Sequence, residues 1–422
     1  MVLVSKMKEK SIICIDLKSF FASCECLERG INPFSTPLVV CNPERNGAIT
    51  LAVTPYLKQF GVKGRTRVYE LPKNINIIKV PPRMSLYIQK SKEVIETYLE
   101  FVSSEDIHIY SIDEVFIDVT NYLNLYKKDA YSLALDILNK IKEKNGLTAT
   151  AGIGPNMLLA KVAMDIEAKH TKDNIAHWTY NDIKTKLWNI KPLSNMWGIG
   201  TRMEKRLNKL GIFSIKDLAT YNKLLLKEKF GIIGEELWNH ANGIDNSSIS
   251  DYKKEAKDKS YSHSQILYKD YDERNIKLII KEMCIVLARR LRENKKNTSV
   301  VSLHINYSKN VGGGFSHMNK LETPTDNEKI IADICFNLFD QFYEELPIRK
   351  VGISVGKLSD NNGIQLNLFE KYETIKNTKQ INNTLDEITN KFGKNSILPA
   401  SSLLKDSTLI ERNKKIGGHN AI

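Results

Sequence analysis

The sequence predicts a multidomain α+β protein that contains two βαββαβ units. Residues 11–169, with the segment 20–80 left aside, show strand and helix patterns in the order β, α, β, β, α, β. Residues 259–358 repeat that order, and the stretch 171–245 between the two units is mostly helical in pattern. A chain of 422 residues is long enough for roughly two to four domains, so the two units and the helical stretch fit its length.

The elements of the first unit follow from hydrophobic patterning. Short β-branched apolar runs predict strands, and longer segments with apolar residues at helical spacing predict helices. Pro155 stands in the first turn of one helix, where its missing N–H needs no partner. A four-stranded sheet with helices on one face is expected. The predicted strands are 11–16, 107–112, 115–119 and 148–153, the helices are 83–102, 129–144 and 155–169, and two further strands are 38–41 and 49–53.

The second unit is predicted to be a separate small domain with the topology of the first, because the element order repeats without visible sequence similarity. Its predicted strands are 261–267, 299–307, 314–321 and 348–356, and its helices are 273–293 and 327–345. Residues 246–258 are polar and lack an apolar period, which indicates a linker. Residues 359–422 are rich in Asn, Lys and Ser and are expected to be loosely ordered.

The charge balance favours a polyanionic partner. Lys and Arg number 62 against 49 Asp and Glu, which gives a formal net charge of +13. The excess is spread along the chain, as expected for a protein that holds an extended polyanion across several domains. A generally basic protein without such a partner is the alternative.

The remaining composition excludes several classes of protein. Apolar runs are too short for a membrane span, and the N-terminus lacks the layout of a signal peptide. None of the six cysteines is spaced CxxC, so neither a zinc site nor a disulfide framework is expected. A reducing, cytoplasmic setting without a membrane partner is predicted.

Three carboxylates stand at strand ends that the predicted topology brings together. Asp16 ends the first strand, and Asp113 and Glu114 lie where two later strands meet. Adjacent carboxylates raise one another's pKa, and a divalent cation removes that conflict. Mg²⁺ prefers such oxygen ligands together with phosphate oxygens. Two ions would clamp the oxygens of a phosphoryl transfer, whereas three solvated carboxylates are the alternative.

Four motifs in order along the chain resemble those of Y-family translesion DNA polymerases. The exact sequences FFASCE, YSIDE and WGIG, together with a fifth motif, QLNLF near the C-terminus, most resemble the UmuC-type branch. That branch contains the catalytic subunit of polymerase V and its Gram-positive relatives. The four motifs are DLKSFFASCE (16–25), YSIDEVFIDVT (110–120), GIGPNMLLAKVAMD (152–165) and MWGIGTRMEKRLNKLGI (196–212).

The resemblance implies a right-hand polymerase with a ferredoxin-like βαββαβ palm, small fingers, a helical thumb with a helix-hairpin-helix, and a second βαββαβ domain called the little finger. It implies error-prone, template-directed DNA synthesis in DNA damage tolerance and SOS-type mutagenesis. The implied boundaries are palm 1–21 and 81–170, fingers 22–80, thumb 171–245, linker 246–258, little finger 259–358 and tail 359–422.

The resemblance also assigns the catalytic centre. Asp16, Asp113 and Glu114 would be the catalytic residues and the ligands of two Mg²⁺ ions, with the carbonyl of Leu17 as a further ligand. A primer 3′-hydroxyl would attack the α-phosphate of an incoming dNTP. Catalysis would consist mainly of positioning and charge neutralisation.

Four further residues would contact the nucleotide. Phe21 takes the family's steric-gate position, where a flat ring would clash with a ribose 2′-hydroxyl. Phe20 is grouped with it at the nucleotide, with a place in the core as its alternative. Lys58 and Lys161 fall where the family places cationic contacts to the triphosphate. The family's Tyr-x-x-Arg is replaced by Pro55-Tyr-Leu-Lys58, so a point charge stands in place of a bidentate fork.

DNA contacts are expected from the thumb and the little finger. Gly198 and Gly200 would let the backbone approach a phosphate, and Arg202 and Lys205 would add charge, so binding would be salt-sensitive and independent of sequence. A plain turn between packed helices is the alternative. Little-finger candidates are Arg289, Arg290, Arg292 and the segment 260–264.

The tail carries a peptide that resembles those docking on the bacterial sliding clamp. Gln365 would be a polar hook, and Leu366, Leu368 and Phe369 would be apolar anchors. Further partners implied by the resemblance are primer-template DNA, dNTP, a RecA-type filament and a UmuD-like subunit. Two other classes stay open on the residues alone, a nucleotidyl cyclase and a non-catalytic DNA-binding scaffold.

Overall fold

The structure, a computed structural model, describes residues 10–45, 47–254, 259–361 and 372–422. It divides into two compact units, one formed by Met1–Glu255 with Ala421–Ile422 and the other by Ala256–Asn420. In the part of the chain that is described, no helix combines the length and apolarity needed to cross a membrane. All six cysteines are free and buried.

The first unit contains the predicted palm, fingers and thumb. Its elements, in chain order, are β1 (Ile12–Leu17), α1 (Phe20–Glu28), β2 (Leu38–Val40), β3 (Ala52–Val53), α2 (Pro55–Gln59), β4 (Ile78–Val80), α3 (Met84–Leu99), β5 (Ile107–Ile109), β6 (Glu114–Asp118), α4 (Tyr122–Tyr126), α5 (Ala130–Asn145), β7 (Ala149–Gly154), α6 (Met157–Ile166), β8 (Ile175–His177), α7 (Asp182–Thr185), α8 (Thr201–Asn208), α9 (Ile215–Thr220), α10 (Lys223–Phe230), α11 (Ile232–Ala241) and α12 (Ile249–Lys253).

The palm sheet has the strand order β5-β6-β1-β7-β8. Strand β1 is central and pairs antiparallel with both β6 and β7, as a ferredoxin-like βαββαβ unit requires. The sheet has five strands where four were predicted, because β8 adds parallel to β7. Residues 175–177 therefore belong to the palm sheet, although the predicted boundary at 170 assigned them to the thumb.

Helices cover both faces of this sheet, so the prediction of helices on one face is wrong. Helices α3 and α5 pack on the face that carries Ile13 and Ile15. Helix α6 packs on the other face, against Ile12 and Cys14. The approach is close, since a Cβ on Gly152 would lie 2.1 Å from a carbonyl oxygen of α6. The apolar run Ile12–Ile15 of β1 is the pattern of a strand covered on both faces.

The fingers and the thumb each have a core of their own. In the fingers, β2 pairs antiparallel with β3 and parallel with β4, around a small cluster that includes Val39, Val53 and Leu57. The predicted strand 49–53 shrinks to the two residues of β3. The thumb is helical as predicted, and α8, α9 and α11 pack around Leu207 and Leu218.

The second unit confirms the predicted element order but does not copy the palm. Its sheet has the order β11-β10-β12-β9, so its first strand lies at an edge, whereas the first strand of the palm is central. Its core lies between this sheet and helices α13 and α14. The elements are β9 (Tyr261–Tyr271), α13 (Glu273–Glu293), β10 (Lys296–Tyr307), β11 (Gly314–Thr325), α14 (Glu328–Phe342), β12 (Ile348–Gly356), β13 (Ser359–Asp360), α15 (Tyr372–Phe392), α16 (Leu409–Asn413), β14 (Lys415–Ile416) and β15 (His419–Asn420).

The predicted linker and tail are more ordered than their composition indicated. Part of the linker forms α12, whose Ile249 is buried in the first unit. In the tail, α15 docks on the second unit through Asp386, which accepts from Arg292 of α13. Ser407 and Thr408 donate to the buried Glu282 of the same helix. Polar anchors thus hold the described tail residues, and the prediction of a loosely ordered tail is wrong for them.

Candidate active site

The pairing of β1 with β6 brings the predicted catalytic carboxylates to one end of the palm sheet. Asp16 is the register partner of Glu114, and residues directly opposite in an antiparallel pair project from the same face. Asp113 lies one residue before β6, and its carbonyl accepts from the amide of Leu17 at 2.9 Å. The backbone therefore holds all four predicted ligand residues together.

Asp16 is a carboxylate in need of a positive partner. Burial raises its pKa to about 7, and the charges of Asp113 and Glu114 add to the shift, while Lys169 opposes it. The Nζ of Lys169 lies 3.9 Å from Oδ2 of Asp16. A buried acid surrounded by other acids is most stable beside a cation.

Glu114 and Asp113 have protein partners in this structure. Glu114 accepts from Nζ of Lys161 at 2.8 Å, and Lys161 also contacts Asp165 at 3.0 Å. Asp113 accepts from the hydroxyl of Ser111 at 2.6 Å. Within the described residues, no three His, Cys, Asp or Glu side chains are arranged to hold a metal as they stand.

Lys58 and Lys169 act on Asp16 by their charges, and Lys18 lies near both of these lysines; sequence reasoning missed Lys18 and Lys169. Burial lowers the pKa of Lys18, and the charges of Lys58 and Lys169 lower it further. Burial also lowers the pKa of Lys58; the charge of Asp16 raises it, and the charge of Lys169 lowers it. Like charges held this close together suit a polyanion between them. Lys169 was findable, since 161, 165 and 169 lie at four-residue spacing, one turn apart on a helix.

The two phenylalanines of α1 have different surroundings. Phe21 is half-buried, and its ring stacks on Tyr87 of α3 with centroids 4.4 Å apart and 14° between planes. Phe20 is 2% exposed and belongs to the palm core. The prediction that Phe20 contacts the nucleotide is therefore wrong, and its alternative place in the core is correct.

The Trp-Gly-Ile-Gly segment forms the predicted turn in front of α8. Gly198 has φ +90°, a conformation that a side chain rarely adopts, and Gly200 is the N-cap of α8 without a capping side chain. A Cβ on either glycine would meet open space. Arg202 and Lys205 are exposed on α8, and neither has an ion-pair partner in the described part of the chain. The start of α8 therefore combines helix amides that no side chain caps with two exposed positive charges.

The predicted little-finger contacts divide between two faces. Arg292 is wrong as a DNA contact, because Asp386 and Glu328 hold it with only 9% of its side chain exposed. Arg289 pairs with Glu293, and Arg290 lies over the ring of Tyr261. On the opposite face of the sheet, sequence reasoning found the segment 260–264 but missed its neighbours, and this face carries small or polar residues from three adjacent strands. These residues are Ser262, Ser264, Ser302, His304 and Ser354.

The predicted clamp-binding residues Gln365, Leu366, Leu368 and Phe369 lie outside the described residues. The described part of the predicted site therefore comprises its carboxylates, its lysines, the ring of Phe21 and the turn at 197–200, the glycine turn.

Comparison with known proteins gives three family matches. Residues 15–165 match the impB/mucB/samB family, and residues 258–368 match the C-terminal domain of that family. Residues 180–212 match the helix-hairpin-helix motif that accompanies it, described as "IMS family HHH motif". The three matches follow the order of the predicted palm, thumb and little finger.

Relatives similar over nearly the full length point in the same direction. The chain is 40% identical to the "Putative UV-damage repair protein UvrX" of Bacillus subtilis (strain 168), over 99% of both chains. It is 35% identical to "DNA polymerase IV 2" of the same organism, over 98% of this chain and 99% of the relative. A solved structure, the "Y-family DNA polymerase chimera Dbh-Dpo4(243-245)-Dbh", shares the fold with a TM-score of 0.66, 20% identity, and coverage of 83% of this chain and 100% of the other.

Proposed function

The chain belongs to the impB/mucB/samB family of Y-family translesion DNA polymerases, and from this premise we propose how its residues carry out synthesis. As a member it is a DNA-directed DNA polymerase, which excludes the cyclase and the non-catalytic scaffold. We propose that a primer 3′-hydroxyl attacks the α-phosphate of a dNTP at a centre formed by Asp16, Asp113 and Glu114, releasing pyrophosphate.

The register of β1 against β6 is the observation that carries this proposal. It sets Asp16 opposite Glu114, and the bond from the amide of Leu17 to the carbonyl of Asp113 closes the same sheet end. Residues almost one hundred positions apart thereby supply carboxylates to one small volume. Among the described strands of the palm sheet, no other neighbouring pair joins acids from two of the motifs that carry the family resemblance.

The donor set fits a hard divalent cation. Y-family polymerases depend on a metal, and Asp16, half-buried beside two other acids, has a raised pKa that a bound cation would lower. We propose that Asp16, Asp113, Glu114 and the carbonyl of Leu17 hold two Mg²⁺ ions. Bound cations of this kind supply positive charge at the attacking hydroxyl and at the departing pyrophosphate.

The lysines are proposed to hold the triphosphate. Lys58 lies in α2 of the fingers, and Lys18 and Lys169 lie in the palm. The charges of Lys58 and Lys169 both lower the pKa of Lys18, and Asp16 interacts with Lys58 and with Lys169. Lys161 holds Glu114 in place through an ion pair. A triphosphate entering between these groups would replace their repulsion with attraction, and its orientation would follow from where their ammonium groups lie.

Phe21 is proposed to select the sugar. Tyr87 stacks on one face of the Phe21 ring, so the ring cannot move back when a ribose 2′-hydroxyl approaches its other face, and the hydroxyl would clash with it. The selection works by exclusion, because a deoxyribose leaves that space free. Substitution of Phe21 by Ala should therefore admit ribonucleotides.

The duplex is proposed to lie against the glycine turn and the little finger. Free amides at the start of α8, with Arg202 and Lys205 beside them, suit a backbone phosphate. The outer sheet face around Ser264 and His304 offers small polar groups to a second stretch of backbone. Contacts of this kind carry no base information, which suits an enzyme that copies any template.

Partners and cellular role stay proposals drawn from the family. We propose that the peptide from Gln365 to Phe369 docks on a bacterial sliding clamp, and that synthesis takes place in the cytoplasm during SOS-type mutagenesis. A RecA-type filament and a UmuD-like subunit are further proposed partners.

Primer extension by the purified chain tests the proposal. Extension of a primed template with dNTPs and Mg²⁺ is expected, and Asp113→Ala should reduce it at least about a hundredfold while DNA affinity stays within about threefold of the original. Asp118→Asn, at the far end of β6, is the matched control and should retain extension. Substantial synthesis by the Asp113 variant would reject that residue, and an intact chain that incorporates nothing would reject the proposal.

A further inference from the structure

A buried polar network stands directly behind the proposed sugar gate. Phe21 and Glu25 are four residues apart on α1, so they share one face of that helix. Arg83 and Tyr87 are also four residues apart, at the N-cap and in the first turns of α3. The two helices meet through these pairs, with Phe21 stacked on Tyr87 and Glu25 bound to Arg83.

Glu25 is the centre of this network. Its Oε1 accepts from the hydroxyl of Tyr87 at 2.7 Å and from Nε of Arg83 at 3.0 Å. Its Oε2 accepts from Nη2 of Arg83 at 2.8 Å and from Nη1 of Arg29. The side chain of Glu25 is fully buried, and Tyr87 is fully buried as well. Each carboxylate oxygen therefore receives two donors.

The protonation states follow from the same contacts. Burial alone would raise the pKa of Glu25, but the hydrogen bonds from Arg83, Tyr87 and Arg29 together lower it. Burial raises the pKa of Tyr87 far above its ordinary value, so its hydroxyl remains a donor. Glu25 is thus an anion that accepts from fixed donors at neutral pH.

Packing between α1 and α3 does not require such a network. Apolar side chains fill the space between two helices without the cost of removing a carboxylate from water, and a buried ion pair is weak evidence for stability. A buried polar network does, however, fix orientation more narrowly than apolar packing, because its hydrogen bonds are directional. The feature that it orients here is the side chain of Tyr87, whose ring supports Phe21 by stacking.

We propose that Glu25 is a positioning residue for sugar selection, acting through Tyr87 on the plane of Phe21. The inference rests on the proposed role of Phe21 as the gate. Exclusion of one hydroxyl depends on small displacements, and a ring held only by apolar contacts can tilt away from it. The hydrogen bond to Glu25 restrains the far end of Tyr87, so its ring stays in place against Phe21 when a ribonucleotide enters.

The test compares ribonucleotide with deoxynucleotide incorporation by full-length variants on a primed template. The measured quantity is the ratio of the two kcat/KM values, which does not depend on the fraction of folded enzyme. Glu25→Gln and Tyr87→Leu should each raise the relative use of ribonucleotides at least tenfold. Tyr87→Phe keeps the ring and loses only its hydroxyl, so a rise of about threefold is expected. Ratios within twofold of the original for Glu25→Gln and Tyr87→Leu would overturn the inference.

Two further variants separate this mechanism from others. Thr97→Val removes a buried hydrogen bond elsewhere on α3, to Asn145, and should leave the ratio unchanged even where it lowers stability. In a Phe21→Ala background, Glu25→Gln should add nothing, since the element on which it acts is absent. An undiminished effect of Glu25→Gln in that background would also overturn the inference.

The same set of variants keeps the inference distinct from the proposed function. A Phe21→Ala enzyme with unchanged sugar selectivity would remove Phe21 from the gate, and the premise would fail. A Phe21→Ala enzyme that accepts ribonucleotides, beside Glu25 and Tyr87 variants that do not, would retain the gate and reject the role of Glu25.

Discussion

At the scale of single residues, Lys161 shows how one side chain serves both stability and the site. Its side chain is 10% exposed and contacts Glu114 and Asp165. Burial alone would lower its pKa, but these carboxylates raise it well above the ordinary value, so Lys161 stays charged. Removing a buried partner leaves the other charges uncompensated, which costs more than the pair contributes when intact.

Lys161→Met should therefore lower the free energy of unfolding by about 3 kcal/mol. Lys169→Met, at the same helical spacing but with 42% of its side chain exposed, should lower it by less than about 1 kcal/mol. Urea unfolding of both variants measures the difference. Equal losses would show that exposure does not decide the strength of these pairs.

Glu25 predicts a dependence of stability on pH. Its pKa is lowered in the folded protein, so its contribution is fully present above the unfolded value of roughly 4.3 and is lost as pH falls through the folded value. At neutral pH the free energy of unfolding of the original protein should exceed that of the Glu25→Gln variant by about 2 kcal/mol, and this gap should shrink below pH 4. Urea unfolding across that range measures the gap. A gap that grows on acidification would contradict the assignment, and Glu105→Gln, on an exposed residue, is the control.

At the scale of elements, the turn before α8 separates helix stability from DNA binding. Gly200 has φ −87°, an ordinary value for any residue, and open space around its Cβ position. A carboxylate at this N-cap would accept from free helix amides and favour the helix. The carboxylate would also occupy the position where a DNA phosphate is proposed to bind, and its negative charge would repel that phosphate.

Gly200→Asp should accordingly leave stability unchanged or higher by about 0.5 kcal/mol while weakening DNA binding about tenfold. Gly200→Ser, which caps without charge, should keep most of the affinity. Affinity for a primed duplex, measured at two salt concentrations beside thermal unfolding, checks both expectations. Unchanged affinity in the Asp variant would place the phosphate elsewhere.

The elements that the sequence could predict are those with a strong period and a cap. Helix α13 and strand β12 have the predicted bounds, since α13 carries one apolar face and begins after the capping Asp272. Helix α6 was predicted, but the face of the sheet on which it packs was not. The hydrophobic period of a helix does not show which face of a sheet it covers, and the close contact with Gly152 leaves no mark on that period. Helix α12 was missed because Ile249 is a single apolar anchor in a polar segment.

The candidate site divides in the same way. Its carboxylates could be predicted, because strand ends and topology bring them together. The contacts of Glu25 with Arg83 and Tyr87 could not, because those residues lie far along the chain and only the crossing of two helices joins them to Glu25. Lys18 was likewise hidden, since nothing local distinguishes it from other lysines.

At the scale of the whole molecule, the second unit is completed by the tail. Arg292 of α13 contacts Asp386 of α15 and Glu328 of α14, so one buried guanidinium joins three helices. Such a residue acts on folding, although its position in a basic cluster indicated DNA contact. The tail is therefore part of the domain that precedes it.

Arg292→Met should destabilise the second unit by about 3 kcal/mol, because two carboxylates lose their partner. Arg289→Met, on the same helix with a single i,i+4 pair, should cost less than about 1 kcal/mol. Urea unfolding of the full chain is the measurement. DNA affinity of the folded Arg292 variant should match the original, and a selective loss of affinity without loss of stability would restore it as a DNA contact.

The pairing of β1 with β6 also limits how this gene can change. Side chains alternate between faces with a period of two, so inserting or deleting one codon within Ile12–Leu17 would turn the acid of residue 16 into the aliphatic interior. Point substitutions along the strand remain open to selection one at a time. Insertions and deletions in this strand are not tolerated, and we expect the segment to evolve by substitution alone.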